Sequence, residues 1–390
     1  MEAIVRDAIT QANIREKKKE EIAAKKFHAT APKPGASTDE ELLKIVEGIK
    51  TAIKVVGCGG AGGNTLDRLM EMGVEGGDVI AVNTDALDLL YTHAHTKVLI
   101  GASVSGGIGA GNDPEVGEKC AEADIKKLSE VITGADLVFV TCGLGGGTGT
   151  GSAPVVAEVA KDVDALTIGV VTLPFGVEGK VRARNALMGL KKLRKHADTV
   201  IVIPNDKLLE IAPNLPLNSA FKVADELLAN SVKGITEMVT KPGLVNLDFA
   251  DLKTIMKSGG TAMIGLGASG KDTPMDERAR ESVEKAMQSP LLDTDVSTAT
   301  GGLINIIGSR DMTLEEAEEI VRVVSTSISP EAQIIWGAQI DDNLDRNVIK
   351  TLVILSGVNT PHYEIGLEEK FETGSGTQEG ISSDMGLRYV

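Results

Sequence analysis

Aromatic side chains are scarce in this sequence: one Trp, three Tyr and six Phe in 390 residues. Aliphatic residues must therefore fill the core. At 42% hydrophobic residues there are enough of them for two ordinary domains or one large α/β unit. Cysteine is scarcer still. Cys58, Cys120 and Cys142 show no C-x-x-C spacing, which fits reduced, metal-free thiols in a cytoplasmic protein. No apolar run approaches the roughly 18–20 residues that a membrane span needs. The charged N-terminus also lacks the apolar core of a signal peptide. Net positive charge is missing as well. At −16 the chain argues against nucleic acid as its main partner, so a polyphosphate would have to be held by local amides and a cation. No G-x-x-x-x-G-K-[ST] occurs, which excludes an ordinary P-loop NTPase.

Glycine, by contrast, is abundant and concentrated. The run Gly143-Leu144-Gly145-Gly146-Gly147-Thr148-Gly149-Thr150-Gly151 follows the apolar stretch Leu137–Val140. A helix is predicted to start at Ser152-Ala153-Pro154, with Pro in the first turn, where its missing N–H costs nothing. Without Cβ atoms such a loop turns its amides onto an anion, and the helix N-terminus adds the positive end of its dipole. Thr148 and Thr150 add two hydroxyls. This stretch reads as a di- or triphosphate cradle.

Taken in order, residues 1–37 form an extension, with Ile4, Val5, Ala8, Ile9 and Ala12 at helical spacing and a Pro-rich linker at Ala31–Ser37. A helix is predicted from Thr38 to Ile49. Strands are predicted at Ile53–Val56, Val79–Asn83, Val98–Ile100, Leu137–Val140, Ala165–Val171 and Thr199–Ile203, alternating with helices. Glycine loops at Gly57–Asn64 and Gly106–Pro114 follow two of them. The pattern describes a doubly wound parallel-sheet α/β domain over residues 38–217, with its ligand site at the C-terminal edge. A central helix at 218–240 carries Phe221, Ala224, Leu228, Val232, Ile235 and Val239 at i+3 and i+4. A smaller α+β C-terminal domain is predicted over 241–364, with Thr313 and Glu316 at capping-box spacing. The tail, 365–390, is polar and ends in the more apolar Met385–Val390.

Gly57, Gly59 and Gly62 fit G-x-G-x-x-G, and Asp85 closes the second strand. That is a dinucleotide fingerprint and keeps a nicotinamide-linked oxidoreductase open as an alternative. One pyrophosphate does not call for two further glycine loops. His93, His95, His196 and His362 are also scattered rather than gathered near one.

Gly145–Gly151 matches the tubulin-family signature G-G-G-T-G-[TS]-G. The span from Ile53 to Val358 resembles FtsZ, the prokaryotic tubulin homologue, most closely its archaeal members. Val82–Asp85, Gly109–Gly117, Ile203–Leu209 and Asn246–Asp251 support the resemblance. It implies a GTP-binding, GTP-hydrolysing protein that polymerises head to tail at the mid-cell division site, with GTP or GDP and Mg2+ as cofactors and K+ as a second candidate cation. By similarity Gly59, Gly60, Ala61, Gly62, Gly63 and Asn64 approach the nucleotide together with Asp85. Gly145, Gly146, Gly147, Thr148, Gly149, Thr150 and Gly151 hold the phosphates. Gly109, Ala110, Gly111 and Asn112 line the γ-phosphate. Glu178 and Arg182 contact the ribose, Asn205 and Asp225 read the guanine edge, and Phe221 stacks on the ring. A carboxylate suits the N1–H and 2-amino donors of guanine, which adenine lacks.

The loop Asn246–Asp251 is implied to insert into a neighbour's nucleotide site. There Asp248 and Asp251, three residues apart, would polarise water beside Asn246. The partners implied are other copies, a paralogous filament protein and a membrane-anchor adaptor; the tail departs from the bacterial docking peptide, so the resemblance carries over no tethering route. A GTP-binding scaffold that does not assemble is the second alternative.

Overall fold

The computed structural model describes residues 51–358 apart from 212–215, 242, 246, 258–259, 293–294 and 342–343. The extension 1–37, the helix from Thr38 to Ile49, the tail 365–390 and Asn246 lie outside the described residues.

β-branched runs build the strands. β1 (Ile53–Cys58), β2 (Gly77–Asn83), β3 (Thr96–Leu99), β4 (Leu137–Gly143), β5 (Leu166–Leu173) and β6 (Thr199–Pro204) pair in parallel in the order β3-β2-β1-β4-β5-β6. Their near-continuous apolar sequences suit a sheet covered on both faces. The strands expected in the C-terminal part join the same sheet. β7 (Gly260–Ala268) pairs in parallel with β6 over three residues, Thr199–Ile201 against Gly260–Ala262. β10 (Ile349–Ser356) then runs antiparallel between β7 and β8 (Gly301–Gly308), and β9 (Gln333–Ile340) closes the edge beside β8. The result is one ten-stranded sheet.

Alternation sorts the side chains into layers. Val55, Phe139, Ile201, Ile264 and Leu303 face α1 (Gly59–Glu71) and the later helices α9 (Leu217–Thr240) and α10 (Phe249–Lys257). The short helices α2 (Ala86–Tyr91) and α3 (Ala102–Ser105) sit between β2 and α4 in the chain. Val56, Val140, Val200 and Val202 face the opposite side. There they meet residues of α4 (Pro114–Ala123), α5 (Ile125–Ile132), α6 (Thr148–Asp162) and α7 (Lys180–His196). Met263, Ile304 and Ile306 continue that second face beneath α11 (Arg278–Met287) and α12 (Leu314–Ser327). The helix α8 (Asn205–Ile211) leaves the end of β6 directly.

Two helix starts differ from the sequence-based expectation. The helix expected from Thr65 begins at Gly59, so the first glycine segment is itself helical; Gly59 takes a φ of +71°, which lets the chain turn straight off β1. The helix expected at Ser152 begins at Thr148, which places Pro154 in its second turn rather than its first. Burial of the whole stretch Gly149–Val156 holds the helix together despite the lost N–H. In α9, Ala220, Ala224, Leu228, Val232, Ile235 and Met238 are buried, and Phe221 falls outside the core stripe, 38% exposed. The Thr313–Glu316 capping box forms as expected.

α4 and α6 cross where neither carries a side chain. A Cβ on Gly151 would run into the Pro114 carbonyl oxygen and the Glu118 amide nitrogen, and one on Gly117 into the Gly147 carbonyl oxygen. Gly151→Ala is expected to cost about 1–3 kcal/mol in urea unfolding of the nucleotide-free protein. Gly146→Ala should stay within roughly 0.5 kcal/mol of wild type, because a Cβ there meets nothing within 4 Å.

Candidate functional site

The chain order places β1 and β4 side by side at the middle of the six parallel strands β1–β6, with connections leaving in opposite directions. A crevice must open above the C-terminal ends of strands at such a switch point. A cleft of about 280 Å³ lies there, floored by Cys58 of β1, Gly143 of β4 and Thr172 of β5. Its walls are Gly60 and Ala61 of α1, Leu144, Gly146 and Gly147, Thr148 and Gly149 of α6, Pro174, Glu178, Arg182, Asn205, and Phe221, Ala224 and Asp225 of α9.

Of the helices that start along this edge, four treat their first amides in two different ways. Asp85 caps α2, its Oδ1 accepting from the amides of Leu87 and Asp88 at 2.9 and 3.1 Å. Asp113 caps α4 by accepting from the Glu115 amide at 2.9 Å. α1 and α6 have Cys58 and Gly147 at their N-caps and no side-chain cap among the described residues. Their uncapped amides and positive dipole ends border the cleft, which is the chemistry of a phosphate site. Asp85 is expected on the nucleotide, or on a ribose in the oxidoreductase alternative. The structure uses its carboxylate as a cap instead.

The glycine segments hold one another. A Cβ on Gly59 would stand 2.8 Å from the Gly149 nitrogen, and one on Gly147 2.8 Å from the Asp113 nitrogen. Hydroxyls finish the lattice. Thr148 Oγ1 bonds Thr84 Oγ1 at 2.6 Å, and Thr150 Oγ1 accepts from the Gly145 amide at 2.8 Å. The buried Thr150 hydroxyl thus ties the first turn of α6 back to the loop. Asn185, which sequence reasoning missed, donates from α7 to the carbonyls of Asn112 and Gly145, both at 3.4 Å.

Of the expected residues, Gly60, Ala61, Gly146, Gly147, Thr148, Gly149, Glu178, Arg182, Asn205, Phe221 and Asp225 line the cleft. Gly62 and Gly63 are buried beneath it, and Asn64 is exposed on α1. Gly109, Ala110, Gly111 and Asn112 do not line the cleft; they stand beside it, with Ala110 buried under Gly147. Gly145, Thr150 and Gly151 brace it from behind. Cys58, Leu144, Thr172, Pro174 and Ala224 line it without having been expected.

The far wall is polar and unfinished. Asn205 is 5% exposed, and its side-chain oxygen has no partner among the described residues. Burial, reinforced by the charge of Asp67, pushes the Asp225 carboxyl up to about 6. A buried acceptor and a desolvated carboxyl both gain from a ligand bearing N–H donors. The Phe221 ring meets Phe175 edge to face, centroids 5.2 Å apart. Glu178 accepts from the Phe175 amide at 2.8 Å and pairs with Arg182 at 2.5 Å. Burial pushes the Cys58 thiol up to about 12, so it is a neutral floor and not a nucleophile. No group of three or more His, Cys, Asp or Glu capable of holding a metal occurs among the described residues.

Asp248 and Asp251 are elsewhere. Asp248 precedes α10 and accepts from the Ala250 amide at 3.2 Å, and Asp251 sits exposed in the first turn. α9 runs from Asp225 at the cleft to Thr240, whose hydroxyl donates to the Glu75 carbonyl just before β2, and the far end of α10 is held where the Thr199 hydroxyl donates to the Met256 carbonyl, so the segment that carries Asp248 and Asp251 is tied on both sides to the N-terminal edge of the sheet. Thr199 begins β6, whose other end leads into Asn205 of the cleft. A strand length, about 17 Å, separates the two edges.

Comparison with known proteins agrees with this architecture. Residues 52–213 match the Tubulin/FtsZ family, GTPase domain, and residues 260–359 match the FtsZ family, C-terminal domain. The chain is 54% identical over 346 residues to Cell division protein FtsZ 1 of Pyrococcus furiosus, covering 88% of this chain and 91% of that protein. It is 56% identical over 358 residues to Cell division protein FtsZ of Methanothermobacter thermautotrophicus, covering 92% and 90%. A solved structure, an empty FtsZ dimer of M. jannaschii, superposes with a TM-score of 0.78 at 53% identity, covering 83% of this chain and 92% of that one.

The Asp225 carboxyl titrates near 6 in the folded protein against an ordinary 3.8. Its charged form is therefore penalised by folding, fully above pH 6 and not at all below about pH 4. Asp225→Asn is expected to raise the urea midpoint of the nucleotide-free protein at pH 8, and the gain should vanish as pH falls through that window.

Proposed function

Because this chain belongs to the Tubulin/FtsZ family, we propose that it is a GTP-dependent filament protein of cell division that hydrolyses GTP between neighbouring copies. The observation that carries this reading is the distance between its two halves of chemistry. The cleft lies at the C-terminal edge of the sheet, and Asp248 and Asp251 lie a strand length away. One molecule cannot bring them together. A second copy stacked head to tail on the cleft edge presents its own Asp pair to the first copy's nucleotide.

The cleft edge is also dressed for a partner. Leu87, Leu90, Tyr91, Ile108, Val177 and Val181 are exposed large apolar residues, all in segments that follow β2, β3 or β5 at that edge. Exposed apolar side chains gathered along one edge suit an interaction site.

In this reading the amides of α1, α6 and the loop Gly146–Gly149 hold the phosphates. Asn205 and Asp225 take the donors of the guanine edge, and Phe221 supports the ring. Mg2+, or K+ as a second cation, would neutralise phosphate charge when bound and would be held by phosphate oxygens, since no group of three or more metal-binding side chains occurs among the described residues. Asp248 and Asp251 of the next copy orient the attacking water, which is the positioning that phosphoryl transfer depends on. The GTP-binding part (38–217), central helix (218–240) and C-terminal part (241–364) are divisions of function in this reading, since the described strands before and after the helix join one sheet. Action at mid-cell, beside a paralogous filament protein and an anchoring adaptor, belongs to the same proposal. Among the described residues no helix is long and apolar enough to cross a membrane.

GTP turnover per molecule should show a threshold in protein concentration that coincides with the onset of light scattering. Asp251→Ala should keep GTP binding and lose turnover by about 100-fold or more. Turnover linear from zero concentration would overturn the shared site.

A further inference from the structure

The segment Gly107–Asn112 and the loop Leu144–Gly147 follow different strands, β3 and β4, and meet beside the cleft. The first is sewn at its near end to the turn after β2. There the Ala86 amide donates to the Gly107 carbonyl at 2.9 Å, and the Gly109 amide to the Thr84 carbonyl at 3.2 Å. Its far end closes on itself, the Asp113 amide donating to the Ala110 carbonyl at 3.0 Å. Asn112, inside that turn, takes a φ of +64°, the left-handed region that Asn enters more readily than most residues with a side chain. Asn112 is exposed, yet its carbonyl is turned toward α7.

α7 is a fixed platform for both segments. A Cβ on Gly189 would run into the Thr150 side chain of α6, and Lys192 pairs with Glu118 of α4 at 2.6 Å. Gly145 lies against the first turn of α7, where a Cβ on it would stand 3.1 Å from the Arg182 carbonyl oxygen. From this platform Asn185, 7% exposed, directs its Nδ2 at two carbonyls, those of Asn112 and Gly145, each 3.4 Å away. A primary amide carries two hydrogens on one uncharged nitrogen, so a single side chain serves both oxygens without burying an ion. The two segments are thereby held at a spacing that one nitrogen sets.

We propose that Asn185 is a positioning residue for the terminal phosphate of the nucleotide: by tying Gly145 and Asn112 to one nitrogen it sets the preference of the cleft for a triphosphate over a diphosphate. The inference rests on the GTP reading above, with Gly145–Gly151 on the phosphates and Gly109–Asn112 on the γ-phosphate. In that reading the first two phosphates meet α1, α6 and the loop before α6, and a diphosphate is indifferent to where Asn112 stands. A triphosphate is not, because a group displaced by about 1 Å from its working position loses most of its effect. The same segment carries Ile108, 85% exposed at the edge where the next copy stacks. Its placement therefore also shapes the surface offered to that copy.

The test is the ratio of GTP to GDP affinity of the full chain, measured with Mg2+ by equilibrium dialysis below the assembly threshold. Asn185→Leu keeps the size of the side chain and removes both donors, and Asn185→Ser keeps a polar group too short to reach either carbonyl. Each should lower the ratio about five- to tenfold, the worth of one ordinary hydrogen bond, with GDP affinity held within about twofold of wild type. The protein concentration at which turnover begins should rise in both. Gly189→Ala crowds Thr150 at the same helix seam without touching either carbonyl. It should lower the urea midpoint of the nucleotide-free protein and leave the ratio unchanged. Three results would overturn the proposal alone: an unchanged ratio in both Asn185 variants, equal losses of GTP and GDP affinity, or a ratio altered as much by Gly189→Ala. Wild type that binds neither nucleotide would overturn the GTP reading and this inference with it.

Discussion

Backbone lies directly against backbone at the heart of this molecule. The three glycine segments touch through atoms that a single methyl group would displace: Gly59 on Gly149, Gly147 on Asp113, Gly151 on Pro114. Together the contacts join the segments that follow β1, β3 and β4, so these parts of the cleft are fixed relative to one another by backbone contact. Interiors packed this closely transmit small displacements rather than absorb them. The cleft is therefore as rigid as the sheet that carries it.

That rigidity gives the helix starts their meaning. All four begin at one edge, and the presence or absence of a capping carboxylate separates the structural ones from the functional ones. Asp85 and Asp113 satisfy their own helices. α1 and α6 are left to whatever enters the cleft. The opposite wall is incomplete in the complementary sense, since the Asn205 oxygen and the Asp225 carboxyl both wait for donors. A ligand with anionic groups at one end and N–H groups at the other completes both walls at once.

Much of this was legible in the sequence because periodicity and glycine clustering are local signals. The parallel strands, the central helix and the position of the cradle all follow from them. The helix starts did not, since a Gly-Thr run reads as loop until packing against other glycines makes it helix. Asn185 carries no local mark at all. It sits in an ordinary basic helix and matters because it reaches two carbonyls far away in sequence. Asp85 shows the reverse case: a residue whose position suggests a ligand contact and whose side chain is consumed by the turn it begins. Phe221 keeps the spacing of the core stripe but lies a residue off its centre, which turns the ring toward Phe175 and the cleft.

The junction between β6 and β7 has a mechanical meaning. Those two strands share a ladder of three residues, whereas β10 pairs over seven with β7 and eight with β8. Few backbone hydrogen bonds cross that line. What resists its opening is the apolar layer shared by both sides, in which Ile201 and Ala262 meet side chains of α9 and α10. Tension along the strands is therefore borne across this seam by side-chain packing, which yields by sliding, rather than by a long ladder, which yields by breaking. The sheet has a built-in line of shear, and it passes between the cleft and the most C-terminal strands.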